Sequence, residues 1–469
     1  MMASPPLYKK LILFLFLWSF CYLTLTTNLT LASKIYNKRM KHKRDLRSCL
    51  NSISGKKVFP TDSEYNSDII NENTRVTYKP TVIIHVDKEE DVATSIKCAK
   101  TLRIGITARS GGHSYEDYCT VIGAGQRLGP IYSALSEKGF LIPAGTCPSV
   151  GITGHSLGGG FGFSSRKFGL ASDNIISIQM VNADGQLITA DNNQNSDLFF
   201  ALRGAGSGSY GIVTSLTFKL SPVPDKVTSI TIDYDISNIQ TVFNAVHKYG
   251  TKLQKEVTFS LEFSQSAFQL TGLYLGNSQQ AQKVMQDIVS ATNANPRFNE
   301  ETFFDSVVRW AYTNPDQVRN PQLQPYKFKA KSFYVNSPGL SQDGIQYIAD
   351  FVKTLPCSTS AIFDLYDGSA INLVDSGATA FVHRNSLYAI QVLTTLSDQS
   401  DVCLNKLKSF GIEFQKKYTS QFSYQNYIDR DLVDWQHKYY GSNFEKLVKI
   451  KRKYDPNNLF SFPQSIPVN

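Results

Sequence analysis

Two glycine-rich segments of this chain each carry one side chain that can bond covalently to a ligand. Residues 109–115 contain His113, and residues 143–151 contain Cys147 between two prolines, before the chain runs into a further glycine-rich stretch at 154–162. Glycine lets the backbone approach a large flat ligand closely, and a thiol in such a loop has few places to be buried. Because both segments have this character, we expect them to hold one cofactor between them.

Other chemistry is open to the same side chains. A nucleophilic Cys147 could use His113 or His155 as its base, although the spacing identifies no Asn or Asp that would orient the imidazole. Taken alone, a histidine is more often a satisfied structural residue, and a cysteine more often a buried thiol or half of a disulfide. Residues 122–129 also imitate a nicotinamide-dinucleotide fingerprint, but no acidic residue ends a second strand about 20 residues on. The matching loops therefore favour a shared cofactor.

A tyrosine late in the chain could act as a general base. Tyr424 and Tyr427 lie three residues apart, and Asp364 and Gln391 lie in or beside apolar, strand-like runs where polar side chains need partners. Tyrosines at this spacing usually serve packing. A tyrosine paired with a carboxylate can nevertheless accept a proton, provided that a nearby electrophile stabilises the phenolate.

The flanking pattern predicts the elements that position these groups. A strand at 82–86, a helix at 88–102 and a strand at 104–109 would deliver His113 at a strand end, where open α/β sheets place ligand-binding loops. Beyond the cysteine loop, residues 175–190 predict a β-hairpin, and residues 212–220 predict a strand that ends at a proline pair.

The remainder of the chain has a different texture. Residues 226–422 alternate longer strands, such as 228–234 and 387–393, with helices that do not follow every strand. This arrangement predicts an α+β fold with a large antiparallel sheet backed by helices. A length of 469 residues predicts two domains.

Net charge and cysteine content narrow the class of protein. The formal charge is +9, but residues 34–47 carry seven basic residues and one acidic residue, so a solvated basic leader accounts for most of the excess. No basic, aromatic-interleaved face indicates a nucleic-acid partner. Apart from Cys21, the cysteines form no CxxC pair or metal-ligand cluster, so no metal site is expected. One or two structural disulfides are expected instead.

The N-terminal residues have the order of a secretory signal peptide. Lys9 and Lys10 precede an apolar run at 11–25 and a small-residue exit at 31–33. Cleavage there predicts a secreted protein. The alternative is an uncleaved anchor that keeps the protein at a membrane.

Taken jointly, the motifs resemble those of the berberine bridge enzyme-like oxygen-dependent FAD-linked oxidoreductases, and most closely their glucooligosaccharide oxidase branch. The resemblance extends from about Cys49 to the end of the chain. The segments that carry it are residues 109–115, 145–151, 158–162, 197–199, 203–206, 426–427, 439–443 and 454–458.

This resemblance implies a two-domain fold of the vanillyl-alcohol oxidase (PCMH) type. With the signal peptide at 1–33, the expected division is an N-terminal segment at 34–75, an FAD-binding domain at 76–222, a substrate domain at 223–422 and a C-terminal segment at 423–469 that returns to the FAD domain. The resemblance also implies a disulfide between Cys49 and Cys98.

The resemblance further implies FAD attached twice, through His113 to the 8α-methyl group and through Cys147 to ring carbon 6. Tyr427 falls on the base, Asp364 on the carboxylate that assists it, and Gln391 on a substrate-side residue. The remaining implied FAD contacts are Arg109, Ser110, Gly111, Gly112, Ser114, Gly151, Gly154, His155, Gly159, Gly160, Phe161, Gly162, Ile212 and Asn443.

The activity implied is oxidation of a carbohydrate at its anomeric hydroxyl, or of a related alcohol, with hydride transfer to flavin N5. Dioxygen would then reoxidise the flavin and be released as hydrogen peroxide. Two alternatives remain open: a flavin dehydrogenase of phenolic alcohols, and an inactive family member that acts as a binding or structural protein.

One departure from the family motivates the inactive alternative. Cys147 follows His113 by only 34 positions, and the family interval is longer by about 25, enough for about three strands. Loss of those strands could leave unpaired sheet edges and a loosened cofactor site. Either the protein is a shortened version, or its gene model skips a segment between 119 and 120.

Overall fold

The protein, seen in a computed structural model, is described over residues 46–75, 79–109, 125–396 and 399–469. The predicted signal peptide at 1–33 and the shortened join between 119 and 120 lie outside these residues. Most of the histidine loop also lies outside them. The predicted site residues that fall there are Ser110, Gly111, Gly112, His113 and Ser114.

The described residues of the first part of the chain form three small antiparallel sheets. Strand β1 pairs with β2, β3 pairs with β7, and the remaining three have the order β5-β4-β6. The predicted hairpin at 175–190 is confirmed by β4 and β5, whose turn places Gly185 at φ 72°. The strands are β1 (Lys56–Val58), β2 (Ile83–His85), β3 (Phe140–Leu141), β4 (Ile175–Val181), β5 (Leu187–Asp191), β6 (Ile212–Phe218) and β7 (Ser221–Pro222).

Short helices surround these sheets. The helix predicted at 88–102 forms over Glu89–Leu102. Three acidic residues in its first turn stabilise it, because their negative charges lie at the positive end of the helix dipole. It ends because Arg103 adopts a left-handed conformation with φ 53°. The other helices of this part are Tyr65–Asp68, Leu128–Ser136, Ile152–Leu157, Ser165–Phe168 and Ser196–Ala201.

The strand predicted at 104–109 is wrong. These residues are irregular, and no strand of the described chain pairs with them. A strand needs a neighbour to satisfy its backbone N–H and C=O groups. Instead of pairing with a strand, this stretch is held at Arg109, whose guanidinium donates hydrogen bonds to the backbone carbonyls of Asp68 and Ile70.

A seven-stranded antiparallel sheet dominates the second part of the chain and confirms the prediction for residues 226–422. Its strand order is β11-β8-β10-β9-β13-β14-β12. The strands are β8 (Val227–Tyr234), β9 (Val257–Ser264), β10 (Phe268–Tyr274), β11 (Arg297–Glu301), β12 (Phe328–Asn336), β13 (Thr359–Leu365) and β14 (Ser386–Thr395).

Side-chain alternation gives this sheet two different faces. In β9, Phe259, Leu261 and Phe263 point to one face and join the largest apolar core, while Ser260 and Glu262 point to the other. Helices cover the apolar face, and side chains of Asn277 and Ser341 cap two of them. The helices packed there are Ile239–Tyr249, Ser278–Thr292, Gln342–Thr354 and Ser400–Tyr418. The polar face is left free to line a site.

Two disulfides join distant parts of the chain. Cys49 bonds to Cys98, as the resemblance implies, and Cys357 bonds to Cys403. Among the described cysteines, Cys147 alone is free.

The two parts are held together by buried polar contacts. The Arg384 guanidinium forms a bidentate ion pair with Asp173, at 2.7 and 2.8 Å. The C-terminal residues pack back on the first part: helices Trp435–Tyr440 and Phe444–Tyr454 share a core with β4 and β6. Within the described ranges, no helix is both long and apolar enough to cross a bilayer, and no three His, Cys, Asp or Glu side chains are grouped to hold a metal ion.

Candidate active site

A cavity of about 640 Å³ lies between the glycine-rich loops and the polar face of the large sheet. This volume is in the range of small-molecule and cofactor sites. Most of its lining comes from three parts of the chain: the loop at 145–163, strands β9, β13 and β14, and the segment at 425–428. Other loops and strands contribute one to three residues each. The residues predicted from the sequence that the structure brings together here are Arg109, Cys147, Gly151, Gly154, His155, Phe161, Gly162, Asp364, Gln391 and Tyr427.

Strand register explains why the predicted polar residues share one wall. Asp364 of β13 lies opposite Ser260 of β9, and Gln391 of β14 lies opposite Ile362 of β13. Because alternate residues face the same side of a sheet, all four side chains point into the cavity. The Ser260 hydroxyl donates a hydrogen bond to Asp364 Oδ1 at 2.5 Å.

Asp364 is an unusually weak acid for an aspartate. Desolvation raises its pKa to about 6, the Ser260 hydrogen bond opposes that rise, and the nearby Glu262 carboxylate adds to it. Desolvation also raises the pKa of Glu262, although this side chain is accessible from the cavity. The sheet wall can therefore change its charge within the range of pH where enzymes work.

Tyr427 ends a single turn of 3-10 helix, Gln425–Tyr427, at the cavity. Its half-buried ring lies edge-on to that of Tyr424, with centroids 5.0 Å apart and an interplanar angle of 77°. Tyr424 is 5% exposed and lies behind Tyr427, outside the cavity lining. Desolvation raises the pKa of Tyr424 to about 12, so this second tyrosine stays protonated.

The Cys147 thiol opens into the cavity while protein surrounds the loop that carries it. Desolvation in this enclosed space raises the pKa of the thiol, and the Glu72 carboxylate, itself buried, raises it further. The loop is fixed by Tyr132, whose hydroxyl donates to the Gly145 carbonyl at 2.8 Å. The thiol is therefore held in place and protonated.

His155 is neutral in this setting. Desolvation lowers its pKa to about 4, and its Nε2 accepts a hydrogen bond from the Gly145 backbone N–H at 2.9 Å. The proton of the neutral ring is consequently on Nδ1. A nucleophilic cysteine–histidine pair needs a thiolate beside an imidazolium. Here the pKa of Cys147 is raised and the pKa of His155 is lowered, so both groups favour their neutral forms. This disfavours His155 as the base of a nucleophilic Cys147.

The glycines of the loop fit a flat cofactor held close to the backbone. A Cβ at Gly162 would lie 1.8 Å from the Ala144 carbonyl oxygen, so no side chain fits there. At Gly154, which lines the cavity, the nearest atom to a Cβ would be Ser207 Oγ at 4.0 Å. A side chain at Gly154 would thus occupy open space beside the loop, which is where a ring system could lie against the backbone.

Four predicted contacts lie away from the cavity lining. Gly159 and Gly160 sit behind the loop, against Phe381 and His155, with φ of 129° and 82°. Ile212 is buried in the core between β6 and helix Glu89–Leu102. Asn443 donates to the carbonyls of Ser376 and Thr379. Their roles as cofactor contacts stay predictions.

Several lining residues were not predicted from the sequence. Ser260, Glu262, Thr271, Glu72 and Tyr312 all face the cavity, and Tyr312 is 81% exposed. A signal for two of them was present, because Ser260 and Glu262 alternate with large apolar residues along β9. Nothing comparable marks Glu72 or Tyr312, which come from loops.

Two protein-family models match segments of the chain that contribute residues to the cavity. A family model described as "Berberine and berberine like" matches residues 423–467, which include Tyr427. A second model, described as "FAD binding domain", matches residues 116–191, which include Cys147 and the glycine loop.

Individual proteins match over almost their whole length. The xylooligosaccharide oxidase of Thermothelomyces thermophilus is 30% identical over 468 residues, covering 89% of this chain and 93% of the relative. The structure of Physcomitrella patens BBE-like 1 has a TM-score of 0.86 and 38% identity, over 90% of this chain and 99% of that one. An Acremonium strictum glucooligosaccharide oxidase, whose structure reveals a novel flavinylation, has a TM-score of 0.83 and 25% identity, over 90% and 98% of the two chains.

Proposed function

Because the chain belongs to the berberine bridge enzyme-like family of FAD-linked oxidoreductases, we propose that it oxidises an oligosaccharide at the anomeric hydroxyl, or a related alcohol, with FAD as its cofactor. One observation carries the proposal: a single cavity joins the thiol of Cys147 to Tyr427, Asp364 and Gln391. A thiol on a glycine-rich loop suits a covalently held ring, and the facing groups suit proton removal.

We assign the FAD anchors to Cys147 and His113. Of the other proposed contacts, Gly151, Gly154, His155 and Gly162 line the cavity on the same side as Cys147. The exposed thiol and the open space at Gly154 support this assignment. When bound, FAD supplies a two-electron acceptor at ring nitrogen N5 for the hydride that leaves the substrate carbon.

The protein's own part in the reaction is proton removal and orientation. Tyr427 would accept the proton of the substrate hydroxyl at its phenolate oxygen, and the Asp364 carboxylate would accept a hydrogen bond that supports this role. Gln391, with one amide donor group and one acceptor, would orient the substrate from the sheet. Dioxygen is the proposed final electron acceptor, with hydrogen peroxide as the product.

We also propose that the protein works outside the cell. Disulfides form and persist mainly in oxidising compartments, and two of them tie the chain at Cys49–Cys98 and Cys357–Cys403. We further propose that the chain divides into an FAD domain at 76–222, a substrate domain at 223–422 and a returning segment at 423–469.

Peroxide release tests the function. Full-length protein purified from a secreting host would be supplied with cellobiose, xylobiose, maltose, chitobiose and a set of benzylic alcohols, with catalase added in a parallel sample as the control. We expect catalase-sensitive peroxide with at least one sugar. Reduction of an artificial electron acceptor without peroxide would identify a dehydrogenase instead. If no sugar or alcohol reduced either acceptor, the inactive alternative would replace the proposed function.

A further inference from the structure

We propose that Tyr424 and Asn426 position Tyr427 by clasping the glycine-rich loop of the cofactor side. The term "clasp" here means the side chains of Tyr424, Gln425 and Asn426 seated on the backbone of residues 158–160. The inference rests on the proposed function, because it takes Tyr427 to be the base. It adds two residues that act through Tyr427: Tyr424, which lies outside the cavity lining, and Asn426, which lies at its edge.

The Tyr424 hydroxyl is the first point of attachment. It accepts a hydrogen bond from the Gly160 backbone N–H at 2.9 Å and another from Asn426 Nδ2, also at 2.9 Å. The backbone N–H of Tyr424 donates to Ser332 Oγ of β12 at 2.9 Å. This one residue therefore links the glycine loop to the large sheet while its ring supports that of Tyr427 from the side.

Asn426 is the second point of attachment, and it directly precedes Tyr427. Its Nδ2 also donates to the His155 carbonyl at 2.9 Å, and its Oδ1 accepts from Gln425 Nε2 at 2.9 Å. His155 in turn accepts from the Gly145 N–H, two residues before Cys147. Two hydrogen bonds and short stretches of backbone thus connect the proposed cysteine anchor through His155 and Asn426 to the proposed base.

The glycine loop leaves no room between itself and the clasp. A Cβ at Gly158 would lie 1.7 Å from Gln425 Nε2 and 1.9 Å from Asn426 Oδ1, and one at Gly206 would lie 2.4 Å from Gln425 Oε1. The clasp is therefore in direct contact with backbone atoms, which move less freely than side chains. Gly160, at φ 82°, aims its N–H at Tyr424 from a conformation that other residues rarely adopt.

Packing alone does not account for these polar groups. Burying hydroxyl and amide groups costs free energy unless each is hydrogen-bonded, and an apolar residue would fill the same space. A fully satisfied polar network instead selects one arrangement. Tyr427 needs such selection, because a single 3-10 turn supplies few hydrogen bonds of its own.

The chain is also fixed on the other side of Tyr427. Asp429 forms buried ion pairs with Lys329 and Lys331 of β12, both at 2.7 Å. The backbone N–H of Asp429 donates to the Tyr439 hydroxyl at 2.8 Å. Tyr427 consequently lies between two fixed points of the chain. Of these, the clasp is the one that holds Tyr427 relative to the glycine-rich loop.

The test is Tyr424→Phe in the full-length holoenzyme, with Tyr440→Phe as the matched control. Tyr440 is equally buried, and its hydroxyl donates to the Ala205 carbonyl at 3.1 Å, away from the cavity lining. Because small misplacements of reacting groups cost up to about 100-fold in rate, we expect Tyr424→Phe to lower kcat about 10- to 100-fold. KM and flavin content should match those of Tyr440→Phe, and the kcat–pH profile should shift only in Tyr424→Phe.

Two further variants keep the test decisive. If Tyr424→Phe does not fold, Asn426→Asp keeps the volume and the Oδ1 acceptor but removes both N–H donors, and the rate of flavin reduction per bound flavin must then fall. An unchanged rate in Asn426→Asp, or equal kcat in Tyr424→Phe and Tyr440→Phe, would overturn the inference. Tyr427→Phe is measured in parallel. Full activity of that variant, or a wild type that no sugar or alcohol reduces, would overturn the proposed function itself.

Discussion

The two walls of the cavity are built in different ways. The loop wall, residues 145–163, presents glycine backbone and, among its side chains, the titratable Cys147 and His155, whose surroundings favour their neutral forms. The sheet wall, on strands β9, β13 and β14, presents a row of polar side chains whose spacing is set by strand register. The loop wall lets a ligand approach the backbone closely. The sheet wall offers polar side chains whose charge can change with pH.

This difference separates binding from chemistry. On the loop wall, an added methyl group meets backbone atoms within 2 Å at Gly162, so changes there should act on cofactor retention and stability. On the sheet wall, side chains such as Asp364 and Ser260 can be exchanged without moving the backbone, so changes there should act on rate and pH dependence. Substitutions on the two walls test whether effects divide in this way.

The largest effect is expected from Tyr427→Phe, which removes the proposed base and leaves the ring in place. Loss of a general base typically lowers the rate about 10²- to 10⁴-fold. Steady-state peroxide assays would measure kcat, and the absorbance of the bound flavin would confirm an unchanged cofactor content. A variant that turned over as fast as the parent would move the base to another residue.

Asp364→Asn should produce the next largest effect: it should lower kcat but raise the stability of the fold at neutral pH. A hydrogen bond to a charged group contributes about 1.5–3 kcal/mol, so kcat should fall roughly 10- to 150-fold. Wild-type activity should rise with pH through about 6, as the carboxylate forms. This limb should disappear in the variant. A limb that stayed at the same pH would show that another group titrates.

The same substitution should stabilise the fold at neutral pH. The pKa of Asp364 is raised in the folded protein, from 3.8 to about 6, so the native state holds this proton more tightly than the unfolded chain does. The free energy of unfolding therefore decreases as pH rises from about 4 through about 6. Asparagine removes that loss, which is up to about 3 kcal/mol. Thermal unfolding of both proteins at pH 4 and pH 8 would reveal the difference.

Gly162→Ala tests the loop wall. Overpacking a close contact costs about 1–3 kcal/mol, so the variant should lower Tm and lose flavin. Gly105→Ala is the control, because a Cβ there meets no atom within 4 Å and Gly105 lies outside the cavity lining, so Tm and flavin content should stay nearly unchanged. Equal Tm values for the two variants would contradict the close approach described for this wall.

Ser260→Ala should have the smallest effect. Its hydroxyl lowers the pKa of Asp364 by donating to the carboxylate, so its loss should move the acid limb of the activity profile up by about one pH unit. Flavin content and Tm should change little. A shift to lower pH would show that the hydroxyl acts on Asp364 in another way.

Periodic patterns predicted the fold well where each element carries its own signal. Alternation located β8 and β14 within one to two residues of their observed bounds, since the helices below fix which face is apolar. The strand predicted at 104–109 failed for the opposite reason. Its apolar residues fit a strand, but pairing depends on a neighbour that the sequence does not specify locally.

The site was predictable in its members more than in its geometry. Motif resemblance singled out Cys147, Asp364, Gln391 and Tyr427, yet only strand register and the chain's return place them in one cavity. The bond between Cys357 and Cys403 could not be deduced, because spacing does not determine which cysteines pair. The clasp was also invisible in the sequence, since it depends on backbone atoms of Gly158 and Gly160 meeting residues more than 250 positions away.

Covalent flavin attachment is the central claim, and the absorbance of acid-denatured protein tests it most directly. Wild-type protein, Cys147→Ala, His113→Ala and the double variant would be precipitated with acid, washed and redissolved. We expect a yellow pellet from the wild type and from each single variant, and a colourless pellet from the double variant. A colourless wild-type pellet, or a double variant that kept all its flavin, would contradict attachment at these two residues.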